Sequence, residues 1–178
     1  MAIASRQATE TRYAGQRAAA FKRAEDILGQ EQAQAPITLR AITPETLATF
    51  GTQWQDHAQR LYPWPWHQMA GDYRRNEPTR FEAAVWSAET LCGLALGRLR
   101  ARYCSLDYIE GSPAPAHPLR GMVIPAVLTA LTAYAVALGR AEIRLIDPFP
   151  ALVPRYENLG FMLATPKREA RYWWKEIP

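Results

Sequence analysis

The sequence predicts a mixed α/β domain, in which a central twisted mixed β-sheet of about six or seven strands is flanked by helices. A helical extension precedes it. Three observations carry this reading. Apolar runs of strand length recur at Ile37–Ile42, Arg80–Ser87, Leu91–Ala101 and Tyr103–Ile109, separated by turn-forming residues. A helix-period apolar stripe runs from Met122 to Leu138 and is followed at once by a short apolar strand, Glu142–Ile146. The composition changes at Pro36, before which the chain is rich in Ala and Gln and free of proline.

Taken in order, residues 1–35 form the helical extension and its linker, and residues 36–178 form the domain. From Ala14 to Gln30 good helix formers place Phe21, Ala24, Ile27 and Leu28 on one face, and Gly29 marks the end. The stripe is narrow, so docking on the domain, pairing with another subunit and partial disorder all stay open. The segment Gln30–Ala35 reads as a polar linker. Ile37–Ile42 alternates apolar and polar residues, as a half-buried strand does. Thr43 then serves as an N-cap with Pro44 at the first helical position. The helix Pro44–Leu61 buries Leu47, Phe50 and Trp54, together with His57 or Ala58. Tyr62-Pro63-Trp64-Pro65-Trp66 interrupts it, and a second short helix follows over His67–Arg75. The three strands from Arg80 to Ile109 form a meander. The helix Met122–Leu138 stops at Gly139, and with Glu142–Ile146 it completes a crossover into a parallel strand. Gly160–Ala164 and Arg171–Ile177 close the sheet as a hairpin.

Composition bounds the function. The chain has 178 residues, 48% apolar and 21% charged, which suits one domain with an appendage. No apolar run is long enough to span a bilayer, so no membrane association is expected. The first thirty residues carry charges throughout and lack an apolar signal core, which points to a cytoplasmic protein. Cys92 and Cys104 are too few and too unpatterned for a disulfide framework or a zinc site. His57, His67 and His117 show no metal-ligand spacing, so no metal is expected. A nucleophile elbow, a dinucleotide fingerprint and a Walker loop are all missing. The net charge of +4 and the pI near 9.3 favour anionic ligands in general, although such an excess is most often a solvated surface. The basic pairs Arg74-Arg75 and Lys167-Arg168 make no continuous stripe for nucleic acid.

The chemistry sits between His117 and Phe161. That stretch runs from the loop His117-Pro118-Leu119-Arg120-Gly121-Met122-Val123-Ile124-Pro125-Ala126, through the long helix and apolar strand, to Arg155-Tyr156-Glu157-Asn158-Leu159-Gly160-Phe161. The order and the Tyr-Glu-x-x-Gly-Phe ending resemble the cofactor half of the GCN5-related N-acetyltransferase (GNAT) superfamily, over about residues 37–165. The resemblance implies acetyl-CoA as co-substrate, with its pyrophosphate held by backbone amides at a helix N-terminus, where orphan donors and the helix dipole favour phosphate. His117, Arg120, Gly121, Met122 and Val123 would then touch the cofactor. Arg120 and Gly121 match the opening of the family pattern, whereas Val123 and Pro125 stand at the positions of its later glycines. The family analogy makes Tyr156 the acid that protonates the departing thiolate. It makes Glu110 and Asp107 on the fourth strand candidate bases. They lie three apart and face opposite sides of a regular strand, unless a bulge intervenes. Amides over Leu106–Ile109, Ile109 among them, would donate to the thioester oxygen.

Tyr62, Trp64 and Trp66 fall in the region that walls the acceptor site in the resembling family; a rigid corner packed over the sheet is the competing reading. Of Trp173 and Trp174 one faces the core, and the other marks a surface where a homodimer would form. The function expected is therefore transfer of acetyl from acetyl-CoA to a primary amine borne by a small molecule, a peptide or an aminoacyl-tRNA. The alternatives are a catalytically degenerate binding module of the same fold and a toxin that acetylates aminoacyl-tRNA.

Overall fold

The computed structural model describes residues 2–30, 35–166 and 171–177. The linker expected after Gln30 and the Lys167-Arg168 pair lie largely or wholly outside these residues. The elements are α1 Ala2–Gln30, β1 Thr38–Arg40, α2 Pro44–Gln53, α3 Trp66–Asn76, β2 Phe81–Ser87, β3 Thr90–Leu99, β4 Tyr103–Gly111, α4 Val123–Ala137, β5 Glu142–Ile146, a 3-10 turn at Pro150–Leu152, α5 Val153–Asn158, β6 Met162–Ala164 and β7 Tyr172–Glu176. The seven strands form one sheet in the order β1-β2-β3-β4-β5-β7-β6. Every neighbouring pair is antiparallel except β4 and β5, which run parallel. A parallel pair needs a crossover, and α4 supplies it.

Helices cover both faces of the sheet. α1 and α4 pack together on one face, where Phe21, Leu28, Leu131 and Tyr134 meet Phe81, Ala95, Leu106 and Leu145. On the other face α2 and α3 bury Phe50, Trp54, Trp66 and Tyr73 against Ala84, Leu94 and Leu96. Because β2 and β3 are covered on both sides, their sequences read as nearly unbroken apolar runs rather than as alternation.

α1 begins far earlier than its apolar stripe. Its first half is held by polar contacts instead. Arg17, buried, donates to Arg80 O at 3.1 Å and to Glu10 Oε1 at 3.1 Å. Arg80 in turn donates to Glu10 Oε2 and Glu82 Oε1, each at 2.9 Å. Arg6 donates to the Arg74 and Arg75 carbonyls, two of the orphan acceptors at the end of α3.

Two boundaries differ from the sequence expectation. The first strand shortens to Thr38–Arg40, the only stretch that finds a partner in β2 among the described residues. The helix from Pro44 ends at Gln53 instead of Leu61. Trp54 drops into the core against Phe50, with ring centroids 5.9 Å apart. Successive turns, His57 N to Trp54 O and Arg60 N to His57 O, then fold the segment back over the sheet. Ala58 consequently lies exposed and His57 half-buried.

Val123 opens α4 with its side chain in the core rather than in the loop before it. It packs on Gly93 of β3, where a Cβ would lie 2.4 Å from Val123 Cγ1. The bulk that valine adds at the helix start is thus accommodated by the glycine opposite. Gly93→Ala is expected to cost about 1–3 kcal/mol through overpacking. Denaturant unfolding would measure it, and adding Val123→Ala should recover part of the loss, a coupling that a double-mutant cycle reads directly. Additive effects would show that the two side chains do not compete for this space.

Candidate active site

β4 and β5 pair only from Tyr103–Glu142 to Leu106–Leu145. β4 runs on to Gly111, while β5 ends at Ile146 and turns away through Asp147, which takes a left-handed φ of 46°. Beyond Leu106 the edge of β4 that faced β5 is therefore left open. A cavity of about 870 Å³ occupies the gap. Its walls are the end of β4, the loop before α4, the loop after β5, Tyr156, and the segment from Gln59 to Trp64.

A bulge shapes the β4 wall. Leu96 of β3 pairs with Tyr108 and Gly97 with Leu106, so Asp107 is the extra residue. Without it Asp107 and Glu110 would face opposite sides. With it both carboxylates point to the α2–α3 face, where each meets a residue of α3. The Tyr73 hydroxyl donates to Asp107 Oδ2 at 2.5 Å, and Trp66 Nε1 donates to Glu110 Oε2 at 2.5 Å. Tyr73 and Trp66 lie seven apart on one helical stripe.

Both carboxylates are also ion-paired. Arg98 Nη1 reaches Asp107 Oδ2 at 2.5 Å. Arg60 grips Glu110 through Nε at 2.6 Å and Nη2 at 3.0 Å, a bidentate pair. The Asp107 side chain is only 4% exposed although the residue as a whole is partly open, so its main chain is what faces the cavity. Glu110 and Ile109 border the cavity directly.

The loop before α4 is anchored by Leu119, which is buried in the α1–α4 core. Gly121 takes φ +83° and leads into α4, whose N-cap Met122 makes no side-chain cap. Among the described residues the amides of Val123 and Ile124 find no acceptor, as expected for a first helical turn, and Pro125 has none to offer. Two guanidinium groups flank this terminus. Arg120 donates to Pro115 O at 2.8 Å, and Arg155 of α5 donates to Gly121 O. His117 lies in the cavity wall, and burial followed by the nearby Arg120 charge holds its imidazole pKa below the usual value.

Tyr156 is placed by the end of its own helix. Phe161 N bonds Tyr156 O at 3.1 Å and Gly160 N bonds Glu157 O at 2.9 Å, the paired bonds of a Schellman motif. Gly160 supplies the left-handed residue, with φ +87°. Phe161 then packs edge-on against the Tyr156 ring, centroids 6.0 Å apart. The Tyr-Glu-Asn-Leu-Gly-Phe ending is in this way a device that fixes Tyr156 in the cavity wall at 1% exposure. Burial, opposed by the Arg155 charge, pushes its phenol up to about 12. The phenol is therefore neutral at ordinary pH.

Four rings wall the opposite side. Tyr62 stacks on Trp64 at 5.8 Å, Trp64 meets Tyr108 at 5.0 Å, and Tyr62 meets Phe149 at 5.0 Å across the gap. Trp66, expected beside them, is instead wholly buried and serves Glu110. Trp173 packs on the α4-side core and Trp174 takes the other side of β7.

The cavity therefore brings together Tyr156, Glu110, the main chain of Asp107, Ile109, His117, Arg120, Tyr62 and Trp64. Sequence reading overlooked Arg60, Phe149 and Arg155. Arg155 adjoins Tyr156 and was visible as a charge beside the motif. Arg60 and Phe149 carried no signal, because their roles arise from loops that meet only in the folded chain.

No family model matches the sequence, and no curated protein matches it. Solved structures do match. Ard1 from Thermoplasma volcanium aligns over 80% of this chain and 98% of its own, at 14% identity and a TM-score of 0.58. The ribosomal-protein-S18-alanine N-acetyltransferase from Escherichia coli aligns over 80% and 93%, at 18% identity and TM-score 0.56. The PaiA N-acetyltransferase from Thermoplasma acidophilum, solved with coenzyme A, aligns over 79% and 98%, at 16% identity and TM-score 0.52. The chain has the fold of the GCN5-related N-acetyltransferases.

The raised Tyr156 pKa has a stability consequence. An unfolded tyrosine ionises near about 10, while the folded one holds its proton to about 12. Unfolding thus releases a proton between these values, and the stabilisation is complete below about pH 10 and lost as pH rises through about 12. Chemical denaturation at pH 8 and pH 11 should show a larger loss for the parent than for Tyr156→Phe. Equal losses would mean that the phenol is open to solvent.

Proposed function

We propose that the protein is an N-acetyltransferase that moves acetyl from acetyl-CoA to a primary amine. The observation that carries the proposal is Tyr156, a neutral, buried phenol fixed in the wall of a gap between two parallel strands that also holds open main-chain edge. The residues present suit acetyl-CoA. The free amides of Val123 and Ile124, together with Arg120 and Arg155, suit a pyrophosphate. The unpaired edge of β4 suits the amide-bearing pantetheine arm. Neutral His117 would contribute hydrogen bonding and shape rather than charge.

Acetyl-CoA supplies an activated thioester. The amides of β4 near Ile109 donate to its carbonyl oxygen as that atom gains charge. The acceptor nitrogen attacks the carbonyl carbon, a C–N bond forms, and the C–S bond breaks. Tyr156 gives its proton to the sulfur. The proton lost by the amine leaves through water, with Glu110 as the carboxylate bordering the route. Asp107, whose side chain is turned to Arg98 and Tyr73, acts by holding the bulge and its amide in place. Replacement of the family glycines by Val123 and Pro125 favours a binding module that has lost turnover, but Val123 is absorbed by Gly93 and leaves its own amide free.

Tyr156→Phe is expected to lower kcat by about 100-fold and leave the acetyl-CoA dissociation constant unchanged in isothermal titration. Release of free CoA from an amine panel measures the first quantity. Unchanged kcat would remove Tyr156 from the chemistry, and no acetyl-CoA binding to the parent would leave only the module.

A further inference from the structure

We infer that the acceptor is a small monoamine carried on an aromatic or flat apolar body, received among Tyr62, Trp64, Tyr108 and Phe149; this rests on the acetyltransferase reading. The four rings come from three separate parts of the chain and touch one another in series. Tyr62 and Phe149 remain 42% and 40% exposed, and Leu61 beside them 82%, an apolar concentration at the mouth of a cavity rather than in a core. Aromatic walls reward both a flat apolar body and an ammonium group beside a ring.

Charge selects further. Three acidic residues line the cavity, Asp107 through its main chain, and Glu110 and Asp147. Glu110 is gripped by Arg60 and Trp66, and the Asp107 carboxylate is turned to Arg98 and Tyr73. Asp147 alone carries no hydrogen bond or ion pair among the described residues. One uncommitted carboxylate balances one ammonium, whereas a polyamine brings several. The Tyr62–Phe149 contact joins the loops on the two sides of the gap. A compact molecule suits a gap bridged in this way better than an extended polypeptide does.

The test compares 2-phenylethylamine, spermidine and a short peptide with a free α-amine, reading kcat/KM from released CoA. The expected result is a preference for 2-phenylethylamine of about tenfold or more. Preference for spermidine or the peptide, or no preference, overturns the inference. Tyr62→Ala and Phe149→Ala should each raise KM for 2-phenylethylamine about tenfold while the acetyl-CoA KM stays fixed, and Tyr62→Phe should restore it. Titration of 2-phenylethylamine against tryptophan emission reads binding without turnover. If acetyl-CoA binds and 2-phenylethylamine neither binds nor reacts, the inference falls and acetyl transfer stands. If 2-phenylethylamine binds and acetyl-CoA does not, the aromatic site stands and the transferase reading falls.

Discussion

The parting of β4 from β5 after Leu106 and Leu145 is the constraint on which the rest of the molecule turns. Two parallel strands joined along their whole length would satisfy each other's main chain and leave no room for a ligand. Here β5 ends early, through the left-handed backbone of Asp147, and β4 continues alone along one edge. Unpaired main-chain groups in a low-dielectric gap are costly unless water or a ligand meets them. The opening is thus a deficit within the sheet, and a ligand with amides of its own is the kind of molecule that makes it good.

Around that opening, each neighbour is fixed by a separate device. The bulge at Asp107 rotates the β4 wall so that two acids brace against α3. The Schellman ending of α5 locks Tyr156 from the other side. Arg60 ties the loop after α2 to the end of β4, bonding both the Trp64 carbonyl and Glu110. A buried acid on this strand is accordingly braced by its neighbours, whereas the Tyr156 phenol has no such partner among the described residues.

Much of the fold was legible in the sequence, because its signals are local. The apolar stripe of α4, the stop at Gly139 and the short run Glu142–Ile146 depend on residues within a few positions of one another, and the strand boundaries matched at β5. The Tyr156 ending was legible for the same reason. What escaped was non-local. The bulge, left open by the sequence, depends on how β3 aligns with β4, and no pattern within β4 decides it. The pairing of Arg60 with Glu110 spans fifty residues. The first half of α1 had no apolar stripe because it is held by arginine and glutamate contacts to the end of α3 and to Arg80 just before β2. The accommodation of Val123 depends on Gly93, thirty residues away in the sequence.

The most direct measurement of the central claim is amide hydrogen exchange along β4, with and without acetyl-CoA. The account predicts that amides within residues 107–111 become markedly protected on addition of acetyl-CoA, together with Val123 and Ile124 at the start of α4. Exchange unchanged along β4, or protection confined to some other face of the sheet, would contradict it.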